Sequence, residues 1–323
     1  MAPSQRVVVS LRDTGLGDRL NALCAAWILA RNTTRSLVVD WRRSIYSSDD
    51  ASLFERCFEP MASLAGVPLL PPGSELPSPR YPTPWCIERL ARQPWRVRPD
   101  ALADYRSELI ELVRSGADHA AAAVIFNACM NDAVVDADDA RRCLGALRFQ
   151  PRIVSAADDF QTAQIGAEPW IGLHVRHGNG GNIMGYRSSW RDQEAAIQRC
   201  LRAVAAARRL LGNDARVLLC TDSPIVEQIM TSRLANLVAT PKQFAPVGRG
   251  ELHLGGRGAA GLDAGLLEML LLSRAPVLIR YPAASFYTFY PAVMKPSMRK
   301  RATVAELQQP FDPADPFSPA LLD

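Results

Sequence analysis

The stretch richest in chemistry is Trp170-Ile171-Gly172-Leu173-His174-Val175-Arg176-His177-Gly178-Asn179-Gly180. An apolar run delivers His174, Arg176 and His177 at its end. Alternation along an extended strand puts His174 and Arg176 on one face. Gly178 and Gly180 let the backbone turn tightly and come close to a ligand. Arginine stays charged and forks onto phosphate oxygens. The block, with Asn179 supporting the loop, is a coherent diphosphate site. Without a ligand, the same residues make a strand-end ion pair and a satisfied histidine in a turn. His177 is read as a contact rather than a base, because adjacent Arg176 repels a second positive charge and lowers its pKa.

Thr14-Gly15-Leu16-Gly17-Asp18 stands between an apolar run and a helical pattern. A helix N-terminus presents free N–H groups that attract anions, so Gly15 and Gly17 are candidate ligand contacts. A tight structural turn explains them equally well. The third glycine of a dinucleotide fingerprint is replaced by Leu20, which weighs against an oxidoreductase. In Cys220-Thr221-Asp222-Ser223-Pro224, Asp222 or Ser223 either caps the next helix, with Pro224 at its first position, or contacts a nucleoside. Asp263 and Glu268 lie on one predicted helix, where solvation at helix ends is the plain reading. Tyr281 to Tyr290, which includes Ser285, reads as core aromatic packing.

The elements that position these groups follow from periodicity. Strands are expected at 7–11, 37–40, 120–127, 170–175, 216–221, 237–239 and 276–280. Helices are expected at 19–31, 101–116, 136–147, 191–211, from Pro224 to Met230, 262–273 and 285–293. Strand, glycine turn, helix and strand form a βαβ unit, which implies a parallel sheet. The alternation restarts after a boundary near Pro151. We therefore expect an α/β protein of two Rossmann-like domains, 1–155 and 156–323, with a tail over 295–323. Ligands of such sheets bind beyond the carboxyl ends of the strands. The Pro-rich segment 68–99 reads as a surface excursion. Its Trp85 and Trp95 would either line a cleft or form a structural cover.

Composition narrows the function. The net charge is +4 with no run of five like charges, so nucleic-acid binding is not indicated. The 7 cysteines are odd in number and never form Cys-x-x-Cys, and the 4 histidines show no ligand spacing with them. Reduced core thiols, no metal site and a cytoplasmic setting are expected. No signal-peptide pattern is present, and the apolar run 266–272 is too short to span a bilayer. The basic cluster Lys295 to Arg301 is either a weak peripheral contact with anionic lipid or ligand phosphates, or a solvated helix end.

HVRHGNG with Ile183-Met184 resembles the rhizobial nodulation protein Z family of fucosyltransferases. The TGLGD turn, Asp40-Trp41-Arg42, CTDS at 220–223 and GLLEMLLLSR around Glu268 extend the likeness over most of the chain. The His-x-Arg core, the TDS turn and the helix followed by Ser285 are also similar to the wider α-1,6- and protein O-fucosyltransferases. The resemblance implies a GT-B fold with two facing domains and a cleft between them. It implies GDP-β-L-fucose as donor, inversion at the sugar carbon, and no metal. Arg176 would hold the donor diphosphate, beside His174. Asp222, Ser223, Glu268 and Ser285 would fall in the later donor motifs. The implied acceptor is a chitin-type oligosaccharide or another reducing-end N-acetylglucosamine, bound on the first-domain side.

The sequence departs from that pattern after the Gly-Asn-Gly turn. Gly181 and Asn182 stand where the family carries acidic residues, and no carboxylate occurs before Asp192. An inverting transfer needs a general base near the acceptor hydroxyl. Asp13, Asp18, Asp192 and Glu194 are the candidates. Two alternatives stay open: a GDP-sugar transferase acting on another surface glycan or a protein, and an inactive sugar-nucleotide or glycan-binding module.

Overall fold

The structure, a computed structural model, describes residues 6–11, 14–42, 46, 51–82, 99–127, 135–178, 192–244, 258–281, 287 and 289–294. The chain separates into two compact units, 1–150 and 151–323. The division falls at Pro151, because that proline opens a helix belonging wholly to the second unit. A boundary at 155/156 would cut the helix.

Unit 1 runs β1 (Val7–Ser10), α1 (Leu16–Asn32), β2 (Ser36–Val39), α2 (Leu53–Cys57), β3 (Ser63–Leu64), β4 (Val67–Leu70), β5 (Arg80–Tyr81), α3 (Pro99–Ser115), β6 (Ala123–Phe126) and α4 (Ala137–Gly145). Its sheet has the order β3-β4-β2-β1-β6-β5. Only the β3–β4 pair is antiparallel. Val7 is level with Ser36 and Ala123, so three apolar strands share one register. They are buried on both faces, as parallel strands covered by helices must be. Helix α1 is buried from Leu16 to Ala30 except at half-buried Asp18. Its polar groups therefore need partners: the Trp27 indole donates to the Leu64 carbonyl at 2.8 Å.

Two expectations are corrected here. Helix α1 starts at Leu16 rather than Arg19, so Gly17 lies inside its first turn. The Pro-rich segment is not wholly irregular, since β4 and β5 lie within or beside it. After Pro68, the Leu69 amide donates to the Ala62 carbonyl.

Unit 2 runs α5 (Pro151–Phe160), a π turn (Gln161–Ile165), β7 (Ile171–Val175), α6 (Gln193–Leu211), β8 (Val217–Thr221), α7 (Pro224–Arg233), β9 (Leu237–Ala239), α8 (Gly258–Arg274), β10 (Val277–Tyr281) and α9 (Phe289–Met294). Its sheet is parallel throughout, in the order β10-β7-β8-β9. Each face has its own core. Ile171, Leu173, Val175, Val217, Leu219 and Ile279 pack with residues of α6 and α7. Leu218, Cys220, Val238 and Leu278 pack with Leu271 and Leu272 of α8 and with Ala275 just after it. This period-two division decides which strand-end side chains meet over α8.

Candidate functional site

The even-numbered residues at the strand ends of unit 2 face α8. His174 is level with Arg280 on one neighbouring strand and Cys220 on the other. Helix α8 comes close because position 172 is glycine. A Cβ there would stand 3.0 Å from both Ala275 Cβ and Leu272 Cδ2. That approach brings Glu268 of α8 to the strand ends.

Asp222 organises the loop after β7. Its Oδ1 accepts the His177 amide at 2.8 Å, and its Oδ2 accepts the Gly178 amide at 2.9 Å. Arg176 Nη1 lies 3.1 Å from the same Oδ2, with the Asp222 side chain only 4% exposed. Gly178 takes φ +79, a conformation side chains resist. The loop is thus pinned with its arginine already oriented. Ser223 is fully buried and caps α7, its Oγ accepting the Val226 amide at 3.4 Å. Pro224 opens that helix as expected.

His174 is buried and its ring stacks on Tyr287, centroids 5.0 Å apart and planes 21° from parallel. The Tyr287 hydroxyl donates to the Gly265 carbonyl of α8. His174 Nδ1 is buried with no hydrogen-bond partner among the described residues. Burial first, then the charges of Arg176, Lys242 and Arg280, push its pKa down to about 3. It is a neutral imidazole at any physiological pH. His177 is also lowered, but burial is the cause and Asp222 opposes it. The expected repulsion from Arg176 is not what moves it.

Glu268 is buried, which overturns the plain reading of a solvated helix residue. Its Oε1 accepts from Thr240 Oγ1 and pairs with Lys242 Nζ. Burial alone would lower the Lys242 pKa, but Glu268 leaves it above its ordinary value. Asp263 is instead paired with Arg152 of α5 at 2.8 Å. The sequence reading missed Thr240, Lys242, Arg280 and the stacking role of Tyr287. For Thr240 and Lys242, the alternation of β9 continued past Ala239 was the available signal.

The other predicted residues are distributed. Gly15 precedes α1 and Gly17 is buried within it. The first amide of that helix, Leu16, donates to Tyr46 Oη at 3.1 Å, so it is already engaged. Asp18 lies in the first turn of α1 and is half-buried. Asp192 caps α6 by accepting the Ala195 amide at 2.9 Å. Glu194 is exposed and pairs with Arg233 at 2.6 Å; that bond first, then one from Gln198, lowers its pKa. Asp13, Trp85, Trp95, Asn179, Gly180 to Asn182, Ser285 and the 295–323 tail lie outside the described residues. The 5 described cysteines Cys24, Cys57, Cys143, Cys200 and Cys220 are buried and unbridged. No helix among the described residues is long and apolar enough to cross a membrane.

This arrangement presents a charged guanidinium, Arg176, that can meet an anion at the carboxyl end of β7. Comparisons with known proteins fit that chemistry. The sequence profile of nodulation protein Z (NodZ) matches residues 4–303. Nodulation protein Z of Azorhizobium caulinodans is 36% identical over 299 residues, covering 90% of this chain and 90% of that protein. Its counterpart in Bradyrhizobium diazoefficiens is 34% identical over 305 residues, covering 91% and 80%. Among solved structures, NodZ α-1,6-fucosyltransferase soaked with GDP-fucose superposes with a TM-score of 0.73 at 28% identity, covering 90% and 93%. The same enzyme co-crystallised with GDP gives 0.72 at 29%, covering 90% and 92%. POFUT1 in complex with GDP-fucose gives 0.52 at 10% identity, covering 91% and 94%, which is a likeness of fold. These are GT-B fucosyltransferases, and the paired α/β units seen here have that fold class.

Proposed function

The chain belongs to the nodulation protein Z (NodZ) family, and from that premise we propose that it is an inverting, metal-independent α-1,6-fucosyltransferase. It moves L-fucose from GDP-β-L-fucose to the reducing-end N-acetylglucosamine of a chitin-type oligosaccharide. The observation that carries this reading is Arg176, held by Asp222 at the carboxyl end of β7 beside neutral His174.

In this reading the acceptor 6-hydroxyl oxygen bonds to the fucose C1 while the bond from C1 to the phosphate oxygen breaks. The electron pair leaves with GDP, and the hydroxyl proton passes to a general base. Arg176 and the amides of its loop stabilise the departing diphosphate, a contribution of about 3–4 kcal/mol for one such donor. Arg280 and Lys242 add fixed positive charge near His174, which supports a reaction without a metal. Glu268 meets the base, since a carboxylate matches the N1–H and 2-amino donors of guanine. The general base would come from Asp13, Asp18, Asp192 or Glu194; of these, Asp192 caps α6 and Glu194 pairs with Arg233. Buried unbridged thiols support a cytoplasmic setting.

One observation favours a second reading of the acceptor: no carboxylate occurs from His177 to Arg191. A GDP-sugar transferase with another glycan or a protein acceptor keeps the same donor site. The test is transfer of labelled fucose from GDP-fucose to chitin oligosaccharides in EDTA, with the linkage and anomer of the product determined. An α-1,6 product supports the proposal. Donor binding with transfer only to other acceptors supports the second reading. Donor binding without transfer to any acceptor leaves a binding module.

A further inference from the structure

Two polar side chains past β9 are buried where apolar packing would serve the fold better. Strand β9 ends at Ala239, and the chain continues through Thr240 and Lys242. Val238 packs on the α8 side of the sheet, so alternation brings Thr240 and Lys242 to that side too. Thr240 is 3% exposed, and so is the Lys242 side chain. Both reach the same atom. Thr240 Oγ1 donates to Glu268 Oε1 at 2.5 Å, and Lys242 Nζ pairs with that same oxygen. Oε1 has both lone pairs engaged, while no described residue is hydrogen-bonded to Oε2.

A buried lysine is a poor way to fill space, because an apolar side chain of similar volume avoids its desolvation. The pair makes sense if the carboxylate must point one oxygen in a fixed direction. We propose that Thr240 and Lys242 are positioning residues that hold Glu268 with Oε2 turned to the nucleotide base, and so set the preference for guanine over adenine. The inference rests on the reading of unit 2 as a GDP-sugar site. Guanine places an N–H donor at N1, where adenine has a lone pair. A fixed carboxylate attracts the first and repels the second.

The test compares GDP and ADP by competition calorimetry on wild type, Thr240→Val, Thr240→Ser and Lys242→Met, with thermal melts to confirm folding. Wild type is expected to prefer GDP by at least about tenfold. Thr240→Val and Lys242→Met should cut that ratio by roughly threefold or more, through weaker GDP binding with ADP changed by less than about twofold. Thr240→Ser should keep the ratio. If the variants weaken GDP and ADP equally, the residues serve only the fold and the inference is overturned. Should Lys242→Met not fold, Thr240→Val decides alone. Failure of the underlying site reading has a different signature: wild type then binds GDP and ADP alike, or neither.

Discussion

Asp222 is the residue on which the loop after β7 depends. Its carboxylate accepts two backbone amides and faces Arg176, all while buried. Removing one partner of a buried charged cluster leaves the others uncompensated, at a cost of about 3–5 kcal/mol. Asp222→Ala is therefore expected to lower unfolding stability by that amount in urea titrations and to weaken GDP binding at least tenfold, about 1.4 kcal/mol. Asp222→Asn, which keeps one acceptor oxygen, should fall between. Glu194→Gln makes the opposite kind of prediction. Its carboxylate is exposed and already paired with Arg233, so fucosyl transfer should stay within about twofold of wild type, as expected of a surface pair. A large loss of turnover would restore Glu194 as the base. At this scale the sequence was uneven. Arg176 and His174 stood out because one strand carries both. Glu268 was reached only through the family resemblance and Lys242 not at all, because the two meet across 26 residues, beyond the reach of any local period.

Helix α8 is the element that assembles the site, since it carries Glu268 and the carbonyl that anchors Tyr287. Its closeness to β7 depends on Gly172. Gly172→Val must push Leu272 and Ala275 away, and overpacking of this kind costs about 1–3 kcal/mol. The same displacement moves Glu268, so GDP binding should fall together with the melting temperature. Asp136→Ala offers a contrast in unit 1. It removes the cap on α4, where Asp136 Oδ1 accepts the Asp139 amide at 2.7 Å, and costs about 1 kcal/mol with GDP affinity unchanged. Most elements were legible because apolar spacing alone reports a strand buried on both faces or a helix with one core face. Helix α5 was not. It was taken as a lead to the domain boundary, although Pro151 at its start is a common opening residue. Helix α1 was placed three residues late for a related reason: Gly17 reads as a turn, yet it fits within a helix whose burial comes from tertiary packing.

For the whole molecule, three histidines give stability one direction with pH. His174, His177 and His119 all have pKa values lowered chiefly by burial. A lowered histidine is charged in the unfolded chain below about pH 6.5 but neutral in the folded one, so the unfolded state binds more protons and stability is lost as pH drops. For His174 the window runs from 6.5 down to about 3. Its share of the slope is about 1.4 kcal/mol per pH unit. Urea unfolding between pH 7 and 4.5 should show a shallower slope for His174→Gln than for wild type. An identical slope would mean that His174 is protonated in the fold. The family-wide likeness adds what no single unit shows, namely that both α/β units together form a fucosyltransferase fold. The measurement that bears most directly on the proposed function is calorimetric titration of GDP-fucose in EDTA, on wild type and Arg176→Ala. Binding by wild type, with at least a tenfold loss in the variant, or about 1.4 kcal/mol, is the expected result. No binding by wild type, or equal binding by both, would contradict the donor site built around Arg176.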